Sequence, residues 1–166
     1  MTYGANNPLS APEQALMLDD GTVVIARQHP YRLEIIARDG TRALGPVLDS
    51  ARVRPSAAER RAAIARQWAF AGPPLPEEAN FQGWPELMPS FPSDALLHVP
   101  GNRVAVLRQQ TVAFPLERID ILDAGGQRIK QVQLAEGESV VAFGRRHIYV
   151  TRTDEDGFTV LIRREW

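Results

Sequence analysis

Catalysis and metal binding need side chains that converge, and the candidates in this chain are few. His29, His98 and His147 are its only imidazoles. They are far apart and in no metal-ligand spacing, so they read as turn or strand-edge residues rather than ligands. Asp154-Glu155-Asp156-Gly157 has the acidity to attract Ca²⁺, but lacks the later bidentate glutamate of an EF-hand loop. It reads as a hairpin turn. Ser10, Ser50, Ser56, Ser90, Ser93 and Ser139 include no Gly-x-Ser-x-Gly nucleophile elbow. With no cysteine, thiolate metal sites, disulfides and cysteine nucleophiles are excluded. Gly125-Gly126 is an isolated turn without a phosphate-loop pattern. The expectation is a chain with no catalytic residue, no metal and no cofactor.

Two weaker sets remain. Glu34 and Asp120 occupy equivalent places in a repeated strand pattern. A pair of carboxylates can cleave glycosides, but equivalent positions in separate repeats need not converge. Arg27, Arg108 and Arg152 recur at the end of another repeated strand. Around a shared axis they would bind a carboxylate, phosphate or sugar ligand; singly they are solvated or ion-paired strand ends. The candidates for partner binding are the large side chains Trp68, Phe81, Trp84, Leu87, Phe91 and Trp166, since aromatic anchors dominate protein interfaces. For Trp84 and Phe91 a lid inside the same chain is an equal reading.

The composition sets the bounds. The chain has 166 residues, 44% apolar and 23% charged, as in an ordinary globular domain. Nineteen basic residues against 20 acidic ones leave no bulk attraction for nucleic acid or anionic lipid. The opening Met1-Thr-Tyr-Gly-Ala-Asn-Asn-Pro8 lacks a charged n-region and an apolar h-region. No run reaches the ~18 apolar residues of a membrane span. The expectation is a soluble, cytoplasmic chain, with attachment to the periphery of a membrane complex left open.

The elements that would position these residues are mostly strands. A single domain is expected over 1–166. After an arm at 1–12, a four-stranded meander occupies 13–50: a short run from Gln14 to Leu18, then Thr22–Arg27, Tyr31–Ala37 and Thr41–Leu48. Leu33 and Ile35 take one face, Arg32 and Glu34 the other. Asp39-Gly40 is the tight-turn signal between the last two strands. Pro55-Ser56-x-x-Glu59 is a capping box that opens a helix at 57–70, within a helical region of 55–71. Ile64, Trp68 and Ala71 share its apolar face, and Arg60 and Arg61 are expected in solvent. Residues 72–93 form a loop with six prolines over 73–92 and several aromatics. That composition predicts an ordered segment packed on something. A second meander spans 94–135, with strands at 95–99, 103–109, 116–122 and 128–134. A partial third spans 139–166, with strands at 140–143, 148–153 and 158–164.

One strand-turn-strand pattern thus recurs, at Thr22–Arg27, Arg103–Arg108 and His147–Arg152, each followed by a second alternating run. Repeated β-units of this size stack so that neighbours bury each other's faces. Asp19-Asp-Gly-Thr-Val-Val-Ile-Ala-Arg27, Pro30-Tyr-Arg-Leu-Glu34, Ala37-Arg-Asp-Gly40, Arg118-Ile-Asp-Ile-Leu-Asp123, Val141-Ala-Phe-Gly144 and above all Ile148-Tyr-Val-Thr-Arg-Thr-Asp-Glu-Asp-Gly157 resemble the C-terminal part of bacterial six-bladed β-propeller proteins. The likeness runs over roughly residues 8–166. It implies a mainly β fold of antiparallel, blade-like four-stranded meanders packed face to face, as an incomplete propeller or a sandwich, with one short helix and a Pro-rich loop. It carries no catalytic residues to transfer.

A six-bladed ring needs ~240 residues, so the resemblance implies a remnant with apolar sheet faces left open. Exposed faces and edges recruit other chains. The leading expectation is therefore a non-catalytic accessory subunit that stabilises a larger protein assembly. Its setting is open, the aqueous face of a membrane complex included. The alternatives are a homodimer that closes a six-bladed ring around a small anionic or sugar ligand, and a propeller-type hydrolase.

Overall fold

Short runs of alternating aliphatic residues are broken by turn residues on either side of the helix and Pro-rich loop, so hairpins form the sheets. In a computed structural model, which describes residues 7–50, 53–69 and 72–166, these hairpins form three antiparallel sheets. The first holds β1 (Gln14–Met17), β2 (Val23–Arg27), β3 (Arg32–Ile36) and β4 (Arg42–Leu44), in chain order. The second holds β5 (Leu96–Val99), β6 (Arg103–Leu107), β7 (Arg118–Leu122) and β8 (Arg128–Gln133), also in order. The third holds β9 (Glu138–Phe143), β10 (His147–Thr153) and β11 (Thr159–Glu165), with β10 central. Between the first two sheets in sequence lie helix α1 (Ala57–Gln67) and a 3-10 turn at Glu78–Asn80. The sheets do not close into a barrel.

The second sheet is covered on both faces. Val104, Val106 and Leu122 pack with Val24, Ala26 and Leu33 of the first sheet. Ala105, Ile119 and Ile121, alternating with them along the strands, pack with Phe143, Ile148 and Val150 of the third. The first and third sheets therefore bury one face each against the middle layer. Each residue buried in this way removes apolar surface from water at roughly 25 cal/mol per Å².

Several elements differ in detail from the pattern in the sequence. The strand expected over Thr41–Leu48 is regular only from Arg42 to Leu44. Pro46 has no N–H to donate, yet Gly45 N and Leu48 N still bond Leu33 O and Tyr31 O, each at 2.8 Å. Gly45 lets the β7–β8 turn of the second sheet come close to the chain here. A Cβ there would lie 2.9 Å from Gly125 O.

Helix α1 stops at Gln67, with Trp68 as its C-cap. Of the expected helical tail, Phe70 and Ala71 lie outside the described residues. Ser56 Oγ caps the helix by accepting from Glu59 N at 3.2 Å. The reciprocal half of the capping box is absent: the Glu59 carboxylate instead accepts from Val112 N at 3.0 Å. Arg60 is not in open solvent. It pairs with Glu78, donates to Pro55 O and lies 5.7 Å from the Trp84 ring centroid.

The Pro-rich loop packs on its own protein. Phe81 sits edge-on to both Trp68 and Trp84, with centroids 5.2 and 5.9 Å away. Phe91 enters the core between the first two sheets, 6.0 Å from the Tyr31 ring. Asp154 closes the β10–β11 turn by accepting from Asp156 N and Phe158 N, so this acidic tract serves its hairpin.

Candidate functional site

The most structured polar site is a charge cluster that occurs twice. In the second sheet Asp120 is fully buried. Arg108 follows β6 and its backbone N bonds Arg118 O on β7, which puts Asp120 two residues further along the neighbouring strand. Arg108 Nη1 donates to Asp120 Oδ2 at 2.8 Å. Gln131 of β8 donates to Oδ1 at 2.8 Å, and Arg128 Nη1 lies 3.6 Å from the same oxygen. The first sheet supplies the remaining donor, Tyr31 Oη, at 3.1 Å from Oδ2. Burial first, and the Asp120 charge second, hold the Tyr31 hydroxyl far above its usual range, so it stays protonated and donates. Arg108 also bonds Ser90 O and Asp49 O, and lies 4.5 Å from the Tyr31 ring centroid. A buried ion pair is tolerated only when its lone pairs and protons are satisfied in this way.

The first sheet repeats the arrangement on its other face. Arg27 is opposite Arg32, with Glu34 two residues on. Arg27 Nε donates to Glu34 Oε2 at 3.0 Å, and Arg42 Nη1 to Oε1 at 3.2 Å. The Arg27 guanidinium, ahead of the opposing cost of burial, holds the Glu34 carboxyl below its usual range. Here no phenol arrives, because this face is open. Its rows are Met17, Val23, Ile36 and Arg42, then Ala15, Ile25, Glu34 and Leu44. Met17 is 67% exposed and Leu44 56%. The third sheet has lost the cluster. Arg152 is opposite Val160, and the place two residues on holds Ile162. Its outer face is mixed: Leu161, 65% exposed, is opposite Thr151, while Tyr149 is opposite Arg163 and His147 opposite Glu165.

The structure places the expected site residues unevenly. Phe91 and Phe81 are interior and offer nothing to a partner in this conformation. Trp68, Trp84 and Leu87 are half-buried around the loop. Trp166 is half-buried, donates Nε1 to His147 O at 3.1 Å and takes Arg103 at 4.8 Å from its ring. Of the repeated arginines, Arg108 is buried on Asp120, Arg27 bridges Glu13 and Glu34, and Arg152 is exposed. Glu34 and Asp120 sit on separate sheets, each inside its own arginine cluster. His98 pairs with Asp19 at 2.8 Å, and His147 approaches Glu165 at 4.0 Å. Among the described residues, no group of three or more His, Asp or Glu side chains could hold a metal ion.

Sequence reasoning missed Tyr31, Arg32, Arg42, Arg118 and Arg128. A signal was available: each of the first two sheets has an arginine two residues before its carboxylate and another eight after it. No protein-family model, curated protein or solved structure matches the chain.

Proposed function

We propose that the chain is a non-catalytic docking subunit, and that the open face of the first sheet receives a twisted antiparallel sheet of a different protein. One observation carries this reading. The Arg27–Glu34–Arg42 cluster on the open face repeats the Arg108–Asp120–Arg128 cluster, which in the same molecule is capped by a neighbouring sheet bearing Tyr31. The internal interface is thus a template for the external one. The surface that fits is an apolar sheet face with a hydroxyl donor aimed at Glu34.

A second copy supplies this poorly. Each sheet's third strand is preceded by a residue at the Tyr31 position, and in the third sheet that residue is Phe158, which has no hydroxyl. The outer face of the third sheet, where Leu161 is exposed, offers a second contact with the same assembly. Among the described residues no helix is long and apolar enough to cross a membrane, so docking at a membrane complex would be peripheral.

The test places a photo-crosslinking residue at Met17 and, separately, at Leu161, in cells that make the protein. Adducts from position 17 to strands of another protein, lost when Leu44 is changed to Asp, support the reading. Adducts only between copies of this chain, with a two-fold dimer in light scattering, replace it with the ring. A monomer that crosslinks to nothing from either face rejects docking.

A further inference from the structure

A cleft of ≈ 680 Å³ opens beside the buried Asp120 cluster, between Asp49, Ser50 and Val53, the loop at Met88–Ser90 and the second sheet. This size is typical of small-molecule sites. Arg118 lies in its wall. Its guanidinium carbon lies 4.1 Å from the Phe114 ring centroid, within cation–π range. Arg118 forms no ion pair among the described residues, and its Nε is buried with no acceptor. Arg108 and Arg128, in the same cleft, are already engaged by Asp120 and Asp49. Burial, followed by the nearby Arg108 charge, holds Arg118 below the usual arginine range. Arg118 is half-buried, and its outer N–H groups have no protein acceptor among the described residues, so they are free for an anion in the cleft.

We propose that this cleft binds a small monocarboxylate with a short apolar body, held by Arg118. A planar guanidinium offers two parallel N–H groups that match a carboxylate. Val53, Met88 and Phe114 give the body an apolar wall. A dianion such as phosphate fits less well, because the Asp49 and Glu59 carboxylates also line the cleft and repel the second charge. Gln131, which donates to Asp120 from the floor of the cleft, reports occupancy. The cleft shares no lining residue with the open face of the first sheet and does not depend on the docking reading.

The experiment titrates the full chain with acetate, hexanoate, benzoate and inorganic phosphate, following amide resonances by NMR. Saturable binding of hexanoate or benzoate that shifts Phe114 and Gln131 is the expected result, with acetate weaker and phosphate weakest. Arg118→Gln should weaken hexanoate ~10-fold or more, and Arg118→Lys, which keeps the charge but loses the fork, should fall between. Arg145→Gln, an exposed control, should bind as wild type. The Gln variant should melt no lower than wild type, since it removes a half-buried cation that has no ion-pair partner among the described residues. The proposal is overturned if none of the carboxylates saturates, if phosphate binds more tightly, or if Arg118→Gln binds hexanoate unchanged. Should Arg118→Gln fail to fold, equal affinity in the Lys variant and wild type overturns it instead.

Discussion

Tyr31 Oη donates to Asp120 Oδ2 at 3.1 Å across the interface between the first and second sheets. This bond joins residues 89 positions apart, and it ties the first sheet directly to the buried charge cluster of the second. Tyr31→Phe keeps the ring against Phe91 and Arg108 but leaves Asp120 one donor short. The expected loss is about 1–2 kcal/mol of unfolding free energy. Asp120→Ala leaves Arg108 buried without its carboxylate and should cost about 3–5 kcal/mol. Urea denaturation followed by circular dichroism separates the two. Equal small losses would show that the cluster is not a coupled buried network.

The open face should tolerate charge in isolation. Met17→Asp and Leu44→Asp alter exposed side chains, so each should change the stability of the free chain by about 0.5 kcal/mol or less. Val24→Asp, on the buried face of the same sheet, should prevent folding. If Met17→Asp also unfolds the free chain, the face is already covered, and the docking surface lies elsewhere.

Gly45 and Gly126 allow the first sheet to meet the β7–β8 turn. Gly126 has φ +79°, and a Cβ there would come within 3.3 Å of Gly45 Cα and Leu33 Cβ. Gly126→Ala adds backbone strain to this clash and should cost roughly 2–4 kcal/mol. Gly40→Ala has a similar φ of +85° but open space around it. It should cost about 1–2 kcal/mol, from the left-handed conformation alone. Thermal melts of the two variants read the difference.

Burial pushes the Glu117 carboxyl above its usual range, with the Val140 backbone opposing, and Oε1 has no hydrogen-bond partner. The folded state therefore holds this proton more tightly than the unfolded state does. The stability it contributes is present below the ordinary glutamate value of ~4.3 and is lost as pH rises from there through the raised folded value. Glu117→Gln removes that loss. Its stability relative to wild type should grow as pH rises through this window, and the variant should melt higher at neutral pH. A constant difference across pH would show that Glu117 titrates normally.

The hairpins were legible because their signals are local. Asp39-Gly40 and Asp154 to Gly157 are turns by their chemistry, and alternation through Tyr31–Ala37 puts Leu33 inward and Glu34 on the opposite face. The start of α1 was legible from Ser56. The partner of Glu59 was not: Val112 is 53 positions away, and no local rule couples them. The need for glycine at position 45 was hidden for the same reason, because the turn at Gly125-Gly126 that crowds it belongs to another sheet.

By itself, the order of residues determined three sets of antiparallel strands, one capped helix and the recurrence of an arginine and a carboxylate at matched offsets. These follow from backbone preference and side-chain period, which act over a few residues. Only the tertiary structure decided that Asp120 is buried and Glu34 is not fully enclosed. Val23-Val-Ile-Ala26 and Val104-Ala-Val-Leu107 are equally apolar on both sides. Yet the second run lies between two sheets, while the first has a neighbour on one side only. The layer that lands on a strand is a property of the stack, and packing between distant segments is what sets it.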